Sequence, residues 1–130
     1  RLGDHAANIA QSALGMAERE GREPLQQLPA TGSLAQAMLR DALDGFIHND
    51  AALGNRVLVN DDLIDAMNQE VIQEVVTRMK RDQGTIDCGL EIIRVSRNLE
   101  RVADLATNIA EEVIFVAQAR IVKHHAEEKP

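Results

Sequence analysis

The sequence predicts an all-α protein, a three-helix antiparallel bundle with one additional helix ahead of it. Three observations carry that prediction. Apolar residues recur at steps of three and four through four stretches, and no alternation of period two persists anywhere. Aromatic residues are 2% of the chain, two Phe with no Tyr or Trp, too few for an ordinary strand-rich sandwich. Pro, Gly, Asn and Asp gather in short stretches between the periodic ones, where turns belong. The chain has 130 residues, 45% of them apolar, which suits one compact domain or slightly more.

The first helix is expected over residues 1–20, with Ile9, Ala13 and Met16 on one face. Gly21 and Pro24 end it, and residues 21–33 read as a linker. Ser33 is the expected N-cap of a second helix over 34–58, whose apolar set is Leu34, Met38, Ala42, Phe46, Leu53 and Val57. Asn60 or Asp61 is expected to open a third helix, over 60–82, with Ile64, Met67, Val71, Val75 and Met79 inside. A turn centred on Gly84 follows, and Thr85 is the candidate cap of a last helix over 86–123. That helix has the clearest seam: Ile92, Val95, Leu99, Val102, Ala106, Ile109, Val113 and Val116. Short loops near 59 and 84 predict an up-down-up arrangement of the last three helices. The chain begins at Arg1, inside a helical pattern and without Met, so it is expected to be part of a longer protein.

One segment is repeated. Arg1 to Ala10 and Arg101 to Ala110 agree at six of ten positions: Arg, Asp, Ala, Asn, Ile and Ala. The offset of 100 residues is the length of one repeat unit, so residues 34–125 would be a complete unit and residues 1–20 the last helix of a preceding one.

Candidate chemistry sits beside the seam. Glu100, Asp104, Asn108 and Glu111 follow one another at steps of four, four and three, forming a stripe that points away from the core. The first helix carries Asp4, Asn8 and Gln11 at the equivalent places. The third carries Asp61 and Asp65, four apart, with Asp62 beside them. Carboxylate and amide oxygens suit hard cations such as Mg, Mn, Ca or Fe. The competing reading is a solvated acidic face that needs no ligand. Arg94, Arg97 and Arg101 form a basic stripe next to it, able to hold phosphate or to pair with Glu91 and Glu100. Asp44 and His48, also four apart, are a weaker chelating pair, and Cys88, the lone cysteine, reads as inert.

The charge is −7 and the aromatics are two Phe alone, so the chain reads as a poor nucleic-acid binder and no nucleic-acid partner is expected. No apolar run is long enough to span a bilayer. A single cysteine rules out an internal disulfide framework and fits a reducing compartment. Glu-x-x-His, His-Glu-x-x-His, a Gly-rich phosphate loop and Gly-x-Ser-x-Gly are all missing, so no familiar catalytic constellation is present.

The stretch Asn98-Leu-Glu-Arg-Val-Ala-Asp-Leu-Ala-Thr-Asn-Ile-Ala-Glu111 resembles the signature helix of the PhoU family, regulators of phosphate-specific transport. Arg1 to Ala10 resembles the same signature, and Ala42-Leu-Asp-Gly-Phe46 with Asp50, and Asp61-Asp-Leu-Ile-Asp65, fit the family pattern. The resemblance implies a protein of two similar three-helix bundles. It implies multinuclear metal clusters, iron or zinc in relatives, on motifs that match Asp61 with Asp65 and Glu100 with Asp104. It also implies a cytoplasmic regulator, not an enzyme, placed between a phosphate ABC transporter and a sensor histidine kinase. Apart from the resemblance, the apolar face of the first helix (Ile9, Ala13, Met16) is expected to fold back on the bundle or to pack against another copy, giving a homodimer, with the membrane reached only through partners. Two departures stand out: Ala103 replaces the glycine seen at Gly3, and Gln11 stands where the second unit has Glu111. A metal-dependent enzyme acting on phosphate esters through the carboxylates is the alternative, disfavoured because no nucleophile or general base accompanies them.

Overall fold

The structure is a computed structural model that describes residues 27–128. Helix α1 spans Gln27–His48, α2 spans Ala51–Arg81 and α3 spans Ile86–Glu128, with a 3-10 turn at Gln83–Thr85 before α3. Among the described residues there is no strand. Each helix packs against both others, which makes the expected antiparallel three-helix bundle.

The core follows the periodicity of the chain. Met38 and Ala42 of α1, Val57, Ile64 and Val71 of α2, and Leu99, Ala106 and Ala110 of α3 are all fully buried. The seam of α3 is broader than a single a/d row. Leu99 and Ala106 are buried as expected, but Val102 and Ile109 are only half-buried, and Ala103 and Ala110 take the inner places beside them. A helix wedged between two neighbours buries a wide stripe, and small residues face the closer neighbour. Gly54 shows how close that neighbour is: a Cβ there would stand 3.1 Å from the Ala110 carbonyl oxygen.

Helix boundaries are where the structure departs from expectation. The turn between the first two helices is at Asn49-Asp50, not near residue 59, and α2 runs unbroken through Asn60 and Asp61. Asn49 adopts φ 53°, a left-handed conformation that Asn tolerates well. The Asp50 N–H bonds the Gly45 carbonyl at 2.9 Å, closing α1 with a Schellman-type bond. The Asp50 carboxylate then accepts from the N–H groups of Ala52 and Leu53 and starts α2. These three residues do what Asn60 and Asp61 were expected to do. Because Phe46 ends α1 instead of lying mid-helix, it is 60% exposed and not core.

Two further corrections concern the first described residues. Residues 27–33, assigned to the linker, are helical, and Ser33 is an exposed mid-helix residue, not a cap. At the far end α3 continues to Glu128, beyond the expected stop at Lys123, with residues 118–127 exposed. At the second turn the Asp82 side chain accepts from the Gly84 N–H at 2.9 Å, and Thr85 donates its hydroxyl to the Asp82 carbonyl. Thr85 therefore braces the turn and does not cap α3. The helix expected over residues 1–20 lies outside the described residues.

Candidate metal centre

Asp61, Asp62 and Asp65 sit on the third to fourth turns of α2, inside a continuous helix, and so cap nothing. One oxygen from each lies within 4.8 Å of the other two. Asp61 is the member that leans into the bundle: it is half-buried, while Asp62 and Asp65 are exposed. Its Oδ1 is buried and finds no hydrogen-bond partner among the described residues. Burial pushes its pKa up, and the charges of Asp65, Asp104, Asp62 and Glu111 push it further the same way.

Those contributions join the two stripes read from the sequence. Asp104 and Glu111 belong to α3, yet both act on Asp61 of α2, so the bundle brings the acidic faces of the two helices together. Asp104, Asn108 and Glu111 are exposed and Glu100 is half-buried, all on the α3 surface as the heptad placement required. Asp62, named at first only as a neighbour of the motif, is a full member of the cluster. Its signal was present in the doubled Asp61-Asp62. Asp4 and Asn8 lie outside the described residues.

The donor set is made of oxygens only, and one of them is buried and unpaired. An unpaired buried carboxylate oxygen costs stability unless something positive meets it. The residues present therefore fit a hard cation at Asp61, Asp62 and Asp65 of α2, with Asp104 and Glu111 of α3 near enough for their charges to act on Asp61.

The other candidates resolve differently. His48 Nδ1 donates to the Asp44 carbonyl oxygen at 2.9 Å, so the ring closes the end of α1 and does not chelate with the Asp44 carboxylate. Arg94 pairs with Glu91 one turn back, which holds the Glu91 carboxyl below its ordinary pKa. Cys88 is buried beside the α2–α3 turn.

Comparison with known proteins bears on the same three helices. The family described as PhoU domain matches residues 28–113. The phosphate-specific transport system accessory protein PhoU homolog of Pseudomonas aeruginosa is 37% identical over 126 residues, 95% of this chain and 52% of that protein. The homolog of Pseudomonas putida is 37% identical over 126 residues, covering 95% of this chain and 49% of its own length. Homolog 1 of Thermotoga maritima is 32% identical over 124 residues, 95% of this chain and 53% of that protein. The chain spans about half the length of these curated relatives. No solved structure matches it. With a matching family that spans nearly all of α1 and α2 and most of α3, on a bundle of the expected architecture, the chain belongs to the PhoU family.

Proposed function

We propose that the protein is an accessory regulator of phosphate uptake. In this reading it links the ATPase subunit of a phosphate ABC transporter to a sensor histidine kinase and restrains starvation signalling when phosphate is plentiful. The observation that carries the reading is the family match across residues 28–113, with relatives named as accessory proteins of a phosphate-specific transport system. The cytoplasm is its place, since an ATPase subunit and a kinase domain both work there. No helix among the described residues is long and apolar enough to cross a membrane, so contact with the membrane would run through the partners.

The carboxylates serve this role as a metal centre. Asp61, Asp62 and Asp65 on α2, with Asp104 and Glu111 on α3, would hold a multinuclear cluster of iron or zinc, or Mg or Mn in its place. Glu100 and Asn108 flank it, and Asp4 and Asn8 would belong to a second such stripe. The bound cation supplies positive charge that offsets the repulsion among the carboxylates. With a cation bound, these residues would tie α2 to α3 and so set the shape of the face offered to a partner. Regulation is favoured over hydrolysis of phosphate esters because the residues gathered here are carboxylates and an amide, with no nucleophile paired to a base.

Three measurements test the proposal. Purified transporter ATPase subunit and kinase cytoplasmic domain are each mixed with the chain, with and without phosphate. Retention of both is expected, and retention of neither overturns the regulatory reading. Thermal shifts are recorded with Fe, Zn, Mn and Mg for the wild type and for Asp104→Asn. Binding to the folded state raises the melting temperature with metal concentration, and the variant should lose most of that rise. Equal shifts would sink the metal centre and leave the carboxylates as a solvated face. A phosphatase assay with Mg, Mn or Fe should show no hydrolysis.

A further inference from the structure

The carboxylates lie along the side where α2 meets α3. The groove between α1 and α3 is a different surface, and it opens at the end of the bundle that holds the α1–α2 turn. Two close contacts set its level. A Cβ on Gly45 of α1 would meet Leu53 and the Gly54 backbone of α2, and one on Gly54 would meet the Ala110 carbonyl oxygen and Ile114 of α3. The end of α1 therefore stands beside residues 110–114 of α3. Helix α2 begins at Ala51, so α3 passes the turn near residue 117. Residues 118–128 then project roughly 16 Å beyond it at 1.5 Å per residue.

Both α1 and α3 turn one flank to α2. On α1 that flank holds Asp41, paired with Arg56, and Gly45. On α3 it holds Ser96 and Ile114. The opposite flanks face each other across the α1–α3 groove. On α1 the row Leu39, Leu43 and Ile47 steps by four residues and climbs out of the core: Leu39 is buried, Leu43 is 42% exposed and Ile47 67%. Phe46, four residues beyond the buried Ala42, is 60% exposed on the same side. On α3 the row is Leu105, Ile109, Glu112, Val116, Arg120 and Lys123, at steps of four and three. Ile109 and Val116 are half-buried, and the two cations are exposed.

We infer that this groove receives an acidic amphipathic helix of a partner protein, with its apolar face on Leu43, Phe46 and Ile47 and its carboxylates toward Arg120 and Lys123. The inference rests on the adaptor reading and names the surface through which it acts. Charge complementarity selects the occupant. Residues 113–126 include two cations and two His and no acidic residue, on a chain of charge −7. That local reversal of sign attracts an acidic segment and turns away a basic one. An anionic bilayer fits less well, because the apolar side chains border a channel between two helices and the net charge of the chain opposes the approach. An amphipathic helix laid in such a channel is a recurrent mode of recognition. Glu112, in the middle of the α3 row, sets the orientation: the acidic end of the incoming helix lies beyond it, against the projecting end of α3.

The probes are the purified transporter ATPase subunit and kinase cytoplasmic domain, each immobilised and titrated with the full chain at low and high salt. At least one should bind the wild type. Phe46→Gln/Ile47→Gln and, separately, Arg120→Glu/Lys123→Glu should each weaken that binding about tenfold or more. Rising salt should weaken the wild type more than the charge variant. These side chains are exposed, so the melting temperature of each variant should stay within about 3 °C of wild type. Wild-type binding that either variant keeps undiminished overturns the groove and leaves the adaptor reading standing, whereas binding of neither probe overturns both. A melting temperature lowered as by a core substitution would mean that the chain's own residues fill the groove, and overturns the inference. So does wild-type binding to vesicles of phosphatidylglycerol and phosphatidylcholine that the charge variant loses.

Discussion

Replacing Ser96 by alanine tests how the two helices that carry the clustered carboxylates are aligned. The Ser96 hydroxyl donates to the Asn68 amide oxygen at 2.8 Å, joining α3 to α2 in the fully buried core. The Asn68 Nδ2 group is already without a partner among the described residues. Ser96→Ala removes one hydrogen bond, a net loss of about 1 kcal/mol, and leaves the Asn68 oxygen unpaired in an apolar setting, about 1–3 kcal/mol more. A total near 2–4 kcal/mol is expected, or a fall in melting temperature of roughly 8–20 °C for a bundle of this size.

Asn68→Leu/Ser96→Ala removes both polar groups together. It should sit at or above wild-type stability, because a buried polar pair replaced by apolar groups of similar shape is often neutral or stabilising. Urea unfolding followed by far-UV circular dichroism measures all four members of the cycle, with the midpoint and slope read separately. If Ser96→Ala lies within about 0.5 kcal/mol of wild type, the buried hydrogen bond carries none of the energy assigned to it. A double variant as unstable as Ser96→Ala would equally refute the reasoning, since the orphaned amide could not then be the cause.

Three other outcomes are expected. Asp61→Asn should raise the metal-free melting temperature at pH 7 and abolish the rise produced by metal. The folded-state pKa of Asp61 lies above its unfolded value, so its ionised form destabilises the fold at neutral pH, and that penalty fades as pH falls through the folded pKa. Thermal melts in chelator at pH 7 and pH 5 should show the gain from Asp61→Asn shrinking at the lower pH. Asp50→Ala removes the cap on two N–H groups of α2 and should cost about 1 kcal/mol in chemical unfolding. Gly54→Val adds bulk where even a Cβ would stand 3.1 Å from the Ala110 carbonyl oxygen and 3.2 Å from Ile114, and should cost about 1–3 kcal/mol by forcing α2 and α3 apart.

The helices and their faces were legible because helical periodicity survives any small error in where a helix begins. Val57, Ile64, Val71 and Val75 are buried whether α2 starts at residue 51 or 60. The turn was not legible for the same reason. Asn49-Asp50 and Asn60-Asp61 offer the same two residue types, and composition alone does not say which Asp reaches back to N–H groups of the next turn. What decides it is the left-handed Asn49 and the Gly45 carbonyl that bonds Asp50, both properties of the folded backbone. Val102 and Ile109 misled because a strict a/d row assumes one partner helix, whereas α3 has two. For the candidate site, the stripe of Asp104 and Glu111 and the pair Asp61 and Asp65 could be read from spacing. Their meeting across two helices, and the burial of one Asp61 oxygen, could not, since both depend on the register of α2 against α3.

That register is itself informative. Asn68 lies one heptad beyond Asp61 on α2, and Ser96 lies about one heptad before Asp104 on α3, so the polar pair and the carboxylates report the same antiparallel alignment. A slide of one heptad would bring Asp61 opposite Arg97, an electrostatically easier arrangement than facing Asp104. The slide would also leave the Asn68 amide and the Ser96 hydroxyl unpaired in the core, and would press the close contact at Gly54 against different side chains. Packing and one buried hydrogen bond thus hold α2 and α3 where their carboxylates repel. The repulsion is a cost that the core contacts outweigh, and a cation bound at these carboxylates, as proposed, would remove it.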